Sequence, residues 1–351
     1  MSFLPPRRPP TLGDVAELAG VSKTTASRVL NNRPSPFPLR QETIERIIAA
    51  AAELGYQPEL TTRGPKRMRS YVLGMLVRDV SDPFNYEAIQ AFSRSAKKLG
   101  YRVLLSDVGS DPSEEEYFLQ LFSDRVSDGV LILGDSPRSE RLTAVLTGKV
   151  RHVVGIAQSE PLPGIVSIGM DDAQGAELAL EHLYELGHQR IAHIAYERYP
   201  DLRRRTETYR RYMAVRGLAL PEGYIQVAPQ DSLAAGTQAT LALLDLPLPP
   251  TAIFAATDRL ALGVLRASLE RGVRIPEELS VVGYDDASFA ATVWPPLTTV
   301  RYPIQEMSDK AAEVLVEMIE GRRQPDAPLR YTFRPTLVVR SSCAAPKPNG
   351  L

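Results

Sequence analysis

Cysteine and tryptophan are almost missing from this sequence: Cys343 and Trp294 are the only ones in 351 residues. A lone thiol excludes an internal disulfide and a thiolate metal cluster. The four histidines, His152, His182, His188 and His193, lack metal-site spacing, so ordinary core or surface roles suit them. No cofactor and no metal is expected. A run of about 18 apolar residues is also lacking, and with it a membrane-spanning helix. The opening MSFLPPRRPP has no apolar segment of the secretory kind, and the cytoplasm is the expected location. A G-x-S-x-G elbow, a P-loop and a G-x-G-x-x-G fingerprint are all missing. An enzyme is therefore not expected.

What is present begins with size. A hydrophobic fraction of 44% supports large cores, and 351 residues suit two or three domains. The net charge is −1, but its distribution is uneven. Residues 1–70 carry eleven basic and six acidic side chains, and the remainder thirty and thirty-six. A basic head on an acidic body points the head toward a polyanion.

The stretch TLGDVAELAGVSKTTASRVLNN, from Thr11, carries that reading further. Leu12, Val15, Ala16 and Ala19 recur at helical spacing. Thr11 suits an N-cap, and Asp14, three residues on, completes a capping-box-like pair. Gly20 permits a tight turn at low steric cost. Ser22 then caps a second helix through Leu30, with Ala26, Val29 and Leu30 on its buried face. Two short helices joined through a glycine turn make a helix-turn-helix. Lys23, Thr24, Thr25, Ser27 and Arg28 occupy the exposed start of the second helix. These residue types reach base edges and phosphates in a major groove. A third helix is predicted over Gln41–Leu54, with Ile44, Ile47, Ile48, Ala51 and Leu54 as its apolar stripe and Gly55 as its end.

From Tyr71 the texture changes. Apolar runs (YVLGMLV, YRVLLSD, DGVLILG, HVVGIA) alternate with helical stretches at Tyr86–Leu99, Glu114–Ser123 and Arg138–Leu146. A second series follows from about Gly169: a helix at Gly175–Leu186, strand RIAHIAY, a helix at Thr206–Arg216, strand TAIFAAT, a helix at Asp258–Arg271, and strand LSVVGYDD. Such alternation reads as two parallel α/β lobes in tandem. Loops at the carboxyl ends of the strands would line a cleft between them.

DVAELAGVSKTTASRVLN followed by ELGYQP resembles the head of the LacI/GalR family of bacterial transcription regulators. SDPFN, MDDAQGAELA, LGHQRIAHIA, TDRLALG, VGYDD and PPLTTVRYP extend the resemblance to about residues 10–342. It implies a helical head and a body of the periplasmic-binding-protein-like type I fold. It also implies a homodimer on a pseudo-palindromic double-stranded DNA operator, and a small effector, a sugar or sugar derivative, between the lobes. The organisation it implies is a head at 1–57, a hinge at 58–70, a body at 71–342 and a tail at 343–351. The first lobe would hold about 71–168 and 302–329, and the second about 169–301 and 330–342. The resemblance assigns base reading to Lys23, Thr24 and Arg28 and phosphate contact to Ser22 and Ser27. Thr11, Thr25, Asn31 and Arg63 complete the candidate DNA contacts.

The head departs from the family in two places. The loop after Asn31 is about three residues longer and carries Pro34, Pro36 and Pro38. In the linker, Gly64-Pro65 stands where the family has a wedge leucine on a hinge helix, and Pro65 disfavours helix at Gly64. The basic Arg63, Lys66, Arg67 and Arg69 still favour phosphate.

Candidate effector contacts are Phe84, to stack on a ligand face, and Arg205 and Asp285, which match the family's cationic and acidic ligand residues. Asp231, Thr257 and Trp294 join them by position. Each has a plainer alternative: Phe84 as core, Arg205 as one of the solvated Arg203–Arg205 run, Asp285 as a loop cap. A ligand-controlled DNA-binding repressor of carbohydrate genes is the expected function. A sugar sensor with altered DNA binding, a consequence of Gly64-Pro65, is the alternative.

Overall fold

The computed structural model describes residues 10–30, 39–54, 56, 69–77, 79–107, 126–134, 152–157, 164–323 and 327–347. The chain divides into two compact units, Met1–Arg69 and Ser70–Leu351. Asn31, Arg63, the proline-rich loop, Gly55, the Gly64-Pro65 linker and the helices expected at Glu114–Ser123 and Arg138–Leu146 lie outside the described residues.

The first unit holds α1 (Leu12–Leu18), α2 (Lys23–Leu30) and α3 (Gln41–Leu54). Thr11 and Asp14 form the reciprocal capping box: the Asp14 carboxylate accepts the Thr11 N–H at 2.7 Å, and the Thr11 hydroxyl accepts the Asp14 N–H at 3.4 Å. Gly20 makes the turn at φ +63°. Val15, Ala16, Ala26, Ile47, Ala50 and Ala51 form a core of small side chains, which lets the three helices approach closely. One stripe residue is corrected. Ile48 is 54% exposed, because Ala50 and Ala51 complete the buried face begun by Ile47.

Among the described residues, the second unit holds two six-stranded sheets. The first is built from β1 (Val72–Val77), β2 (Arg102–Asp107), β3 (Gly129–Leu133), β4 (Val153–Ile156), β5 (Val166–Met170) and β11 (Arg330–Phe333), in the order β11-β5-β4-β3-β1-β2. The second contains β6 (Ile191–Ala195), β7 (Ile225–Val227), β8 (Ala252–Ala255), β9 (Ser280–Asp285), β10 (Thr298–Arg301) and β12 (Thr336–Val338), in the order β12-β10-β9-β8-β6-β7. All ladders are parallel except that of β10 with β12. Helices α4 (Pro83–Lys98) and α9 (Ile304–Glu320) pack together against the first sheet. Helices α5 (Asp172–Glu185), α6 (Pro200–Val215), α7 (Leu233–Leu244) and α8 (Asp258–Arg271) belong to the second. Gly236 and Gly263 let α7 and α8 touch backbone to backbone; a Cβ on either would enter the other helix.

The chain passes between the lobes three times: from β5 to α5, from β10 to α9, and from β11 to β12. This corrects the expected lobe limits. Residues 330–333 belong to the first sheet, not the second, and so do 169–170. The reason is backbone pairing: Arg330–Phe333 runs parallel along Ser167–Met170 and covers an edge that would otherwise be bare. Helix α6 begins at Pro200 rather than Thr206, since proline at the first helical position has its φ already set.

Candidate functional site

Two regions gather candidate residues. In the first unit, Ser22, Lys23 and Thr24 are exposed, and Thr25, Ser27 and Arg28 are partly buried. The Ser22 hydroxyl accepts the Thr25 N–H at 3.1 Å and lies 2.8 Å from the Thr25 hydroxyl. Ser22 thus caps α2 and fixes which face its first turn presents. Thr11 is engaged in capping α1. Lys23 and Thr24 are left projecting from the start of α2, the end that enters a groove in helix-turn-helix proteins.

In the second unit a cavity of about 530 Å³ opens between the lobes. Its walls are the carboxyl ends of strands where each sheet reverses direction, as open α/β sheets favour. From the first lobe come the residues after β1, Asp79 and Asp82, with Phe84, Asn85 and Asp107. From the second come Tyr196, Arg198, Asp201, Arg205, Asp231, Thr257, Arg259 and Asp285, and Tyr302 joins from the β10–α9 crossing. Five of the six expected effector residues therefore meet here: Phe84, Arg205, Asp231, Thr257 and Asp285.

Trp294 does not. It is 89% exposed and away from the cavity. The buried Ala290 and Leu297 anchor the β9–β10 connection to its lobe, and Trp294 falls between them on the solvent side. A place after a strand end says nothing of which way the loop then turns.

Arg205 is 2% exposed, so it is not part of a solvated arginine run. Its Nε and Nη2 donate to Asp172 Oδ1 at 3.2 and 3.0 Å, and Nη1 donates to the Ala256 carbonyl at 2.6 Å. The Tyr302 hydroxyl donates to the same Asp172 oxygen at 2.8 Å. The Tyr284 ring lies 3.6 Å from the guanidinium carbon, and Asp285 Oδ1 stands 3.5 Å from Nη1. Burial pushes the Asp172 carboxyl up to about 6, while Arg205 opposes the rise. At neutral pH it remains the counter-ion of Arg205.

Asp285 sits at φ +114° and Asp286 at φ +56°, a left-handed region that costs aspartate about 1–3 kcal/mol. The next residues hold that geometry. Asp286 pairs with Arg340 and Arg301, each at 2.6 Å, and the Ala287 N–H donates to buried Asp258 at 2.8 Å. The strained turn aims Asp285 at the cavity floor. Burial holds its carboxyl well above the usual range, opposed by Arg205 and assisted by Asp258, Asp82 and Asp231. The two neighbours face different partners: Asp285 stands by Arg205, and Asp286 by Arg301 and Arg340.

Thr257 caps α8 through the Leu260 N–H at 3.1 Å and donates its hydroxyl to Asp231 at 2.6 Å. Burial pushes the Asp231 carboxyl up to about 6. Phe84 packs its ring 4.8 Å from that of Tyr302 and serves both wall and core. The sequence reading missed Asp172, Tyr302 and Arg259. MDDAQG and TDRLALG were legible as family markers, but nothing local says that Asp172 turns inward or that Arg259 reaches another lobe.

Comparison with known proteins matches a family to part of each unit. The family model "Bacterial regulatory proteins, lacI family" matches residues 11–59, and "Periplasmic binding protein-like domain" matches residues 180–343. The chain is 33% identical to the HTH-type transcriptional repressor CytR of Escherichia coli, over 89% of this chain and 90% of that one. It is 31% identical to the ribose operon repressor of Escherichia coli, over 95% and 99%. Among solved structures, a Lac repressor dimer bound to operator and the anti-inducer ONPF superposes with a TM-score of 0.82 at 28% identity, over 96% and 100%. These relatives are transcriptional regulators, not enzymes. Among the described residues no helix is long and apolar enough to cross a membrane.

Proposed function

The chain belongs to the LacI family of bacterial regulatory proteins, and we propose that it is a cytoplasmic homodimeric repressor of carbohydrate-related genes, released from or tightened on its operator by a polyhydroxylated effector. The observation that carries the effector half is the polar cavity of about 530 Å³ with Arg205 and Asp285 on its floor. Cavities of this size accommodate small ligands. Sugars offer many hydroxyl donors, which suits a lining rich in carboxylates.

In this reading Lys23, Thr24, Thr25 and Arg28 read base edges. Ser22, Ser27, Thr11, Asn31 and Arg63 serve the phosphate backbone. Two heads read two half-sites, so the operator is pseudo-palindromic. Phe84, Arg205, Asp231, Thr257 and Asp285 bind the effector. The head spans 1–57, the hinge 58–70 and the effector body 71–342. The effector acts by population shift: it favours one lobe arrangement by its differential affinity for the two.

The test is fluorescence anisotropy with the DNA upstream of the protein's own coding region, at two salt concentrations, with and without a panel of sugars. Salt-sensitive binding that resists nonspecific competitor, and that a sugar shifts, is the expected result. Specific binding that no sugar shifts would refute the carbohydrate assignment. Absence of specific binding would refute the repressor assignment and favour a sensor whose Gly64-Pro65 linker has weakened the head.

A further inference from the structure

The cavity between the lobes sorts ligands by charge. Six aspartates and three arginines line it, with no lysine, histidine or glutamate among the described lining residues. Two of the three arginines already donate to protein acceptors. Arg205 is turned toward Asp172 and the Ala256 carbonyl. Arg259 gives Nη1 to the Asp231 carbonyl at 3.1 Å and Nη2 to the Ser81 carbonyl at 3.0 Å, on the opposite lobe. The Arg198 guanidinium carbon lies 5.7 Å from the centre of the Tyr199 ring.

Asp82 and Asp231 retain acceptor capacity, because a carboxylate has about four lone-pair sites. Asp82 Oδ1 accepts from the Phe84 N–H at 2.8 Å and Asp231 Oδ1 from the Thr257 hydroxyl at 2.6 Å, and the Oδ2 of each stands 3.9 Å from Arg259. Asp201 Oδ1 is shut off from solvent and has no hydrogen-bond partner among the described residues. A phosphate or carboxylate entering here would meet six aspartates against three arginines, two of which already donate to the protein. Hydroxyls would find acceptors, and an ammonium would find acceptors and countercharge together.

We infer that this cavity takes a polyhydroxylated effector bearing no anionic group, and that an amine-bearing effector binds more tightly than its neutral counterpart. The inference rests on the reading of the cavity as the effector site and narrows it to a charge class. Sugar phosphates and sugar acids are excluded, while neutral sugars, polyols and amino sugars remain.

The experiment uses three probes that share a tris(hydroxymethyl)methyl core and differ in charge: protonated tris(hydroxymethyl)aminomethane, pentaerythritol and tris(hydroxymethyl)acetate. Each is titrated into the full chain at pH 7.5 and fixed ionic strength, with binding followed calorimetrically and by ligand-observed NMR up to 100 mM. The expected order is amine, then neutral, then carboxylate, with about tenfold between successive members from the charge of the lining. In the Asp231→Asn variant, which keeps an acceptor for Thr257, the amine-to-neutral ratio falls about tenfold. The inference is overturned if the carboxylate binds as well as the amine, if amine and neutral bind equally, if none of the three binds, or if the ratio survives in Asp231→Asn. None of these outcomes touches operator binding, so failure here and failure of the repressor assignment are read separately.

Discussion

Replacing Asp172 tests whether one buried carboxylate holds the cavity floor. Its Oδ1 accepts from Arg205 at 3.0 and 3.2 Å and from Tyr302 at 2.8 Å. Removing one partner of a buried pair costs about 3–5 kcal/mol. Asp172→Asn removes the charge but keeps an acceptor of the same shape, and Arg205 retains Asp285 at 3.5 Å and Asp201 at 3.7 Å. The expected loss is therefore smaller, about 2 kcal/mol, and Asp172→Leu, which removes the acceptor, loses about 4 kcal/mol. For a unit of this size about 2 kcal/mol lowers Tm by about 5 °C. The assay is thermal unfolding by far-UV circular dichroism, with a double-mutant cycle against Arg205→Met. A buried pair replaced on both sides by apolar groups recovers much of the loss, so Asp172→Leu with Arg205→Met should show a coupling of about 2 kcal/mol. Tm changes under 1 °C for both single variants at Asp172, or strict additivity in the cycle, would refute the reasoning.

Three further outcomes follow from the same geometry. Burial holds the Asp258 carboxyl up to about 7, against an ordinary 3.8, so the folded state binds its proton more tightly than the unfolded state. Stability attributable to this group falls as pH rises from about 4 to 7. Asp172 and Asp231, both raised to about 6, act with the same sign. Asp258→Asn mimics the protonated form, and Tm measured from pH 5 to 8 should decline less steeply than in the parent. Gly175→Ala puts a methyl against the Tyr284 hydroxyl, whose ring supports Arg205. It should destabilise the body by about 2 kcal/mol and weaken effector binding without touching the cavity; calorimetry with the effector checks both. Arg28→Ala should cost about 1–3 kcal/mol of operator affinity and relax discrimination at one base pair, read by anisotropy on a set of single-base operator variants.

Local chemistry made the head legible. Thr11, Asp14, Gly20 and Ser22 act within four residues of their partners, and each does in the structure what its type and spacing predict. Among the helices of the body, Asp258–Arg271 was placed to the residue and Tyr86–Leu99 and Gly175–Leu186 within three residues, whereas Leu233–Leu244 was not foreseen, because its sequence LAAGTQATLALL is apolar or small nearly all round and shows little polar contrast. The short strands Ile225–Val227 and Thr298–Arg301 were not, because three or four residues carry too little pattern to separate them from loop. Arg330–Phe333 was placed in the wrong lobe because strand pairing is a long-range choice: its partner lies some 160 residues earlier, and no side chain announces it. The cleft shows the same division. Arg205 and Asp285 stood out by motif, but the partners that fix them, Asp172 and Tyr302, come from separate crossings.

That origin gives Arg205 a mechanical role. Asp172 opens the helix after the first crossing between lobes, and Tyr302 lies on the second. Arg205 is bonded to both, and its Nη1 faces Asp285 on the cavity floor. A ligand that draws hydrogen bonds from the floor must change what Arg205 shares with Asp285, and so the balance at the two crossings. Arg259 adds a second tie across the mouth, from α8 to the Ser81 carbonyl. Under the proposed function, occupancy and lobe angle would be linked through these two side chains. Coupling between sites in proteins is commonly about 1–3 kcal/mol. One charge-assisted hydrogen bond exchanged at Arg205 is of that size, so under the proposed function it would suffice to bias the lobes.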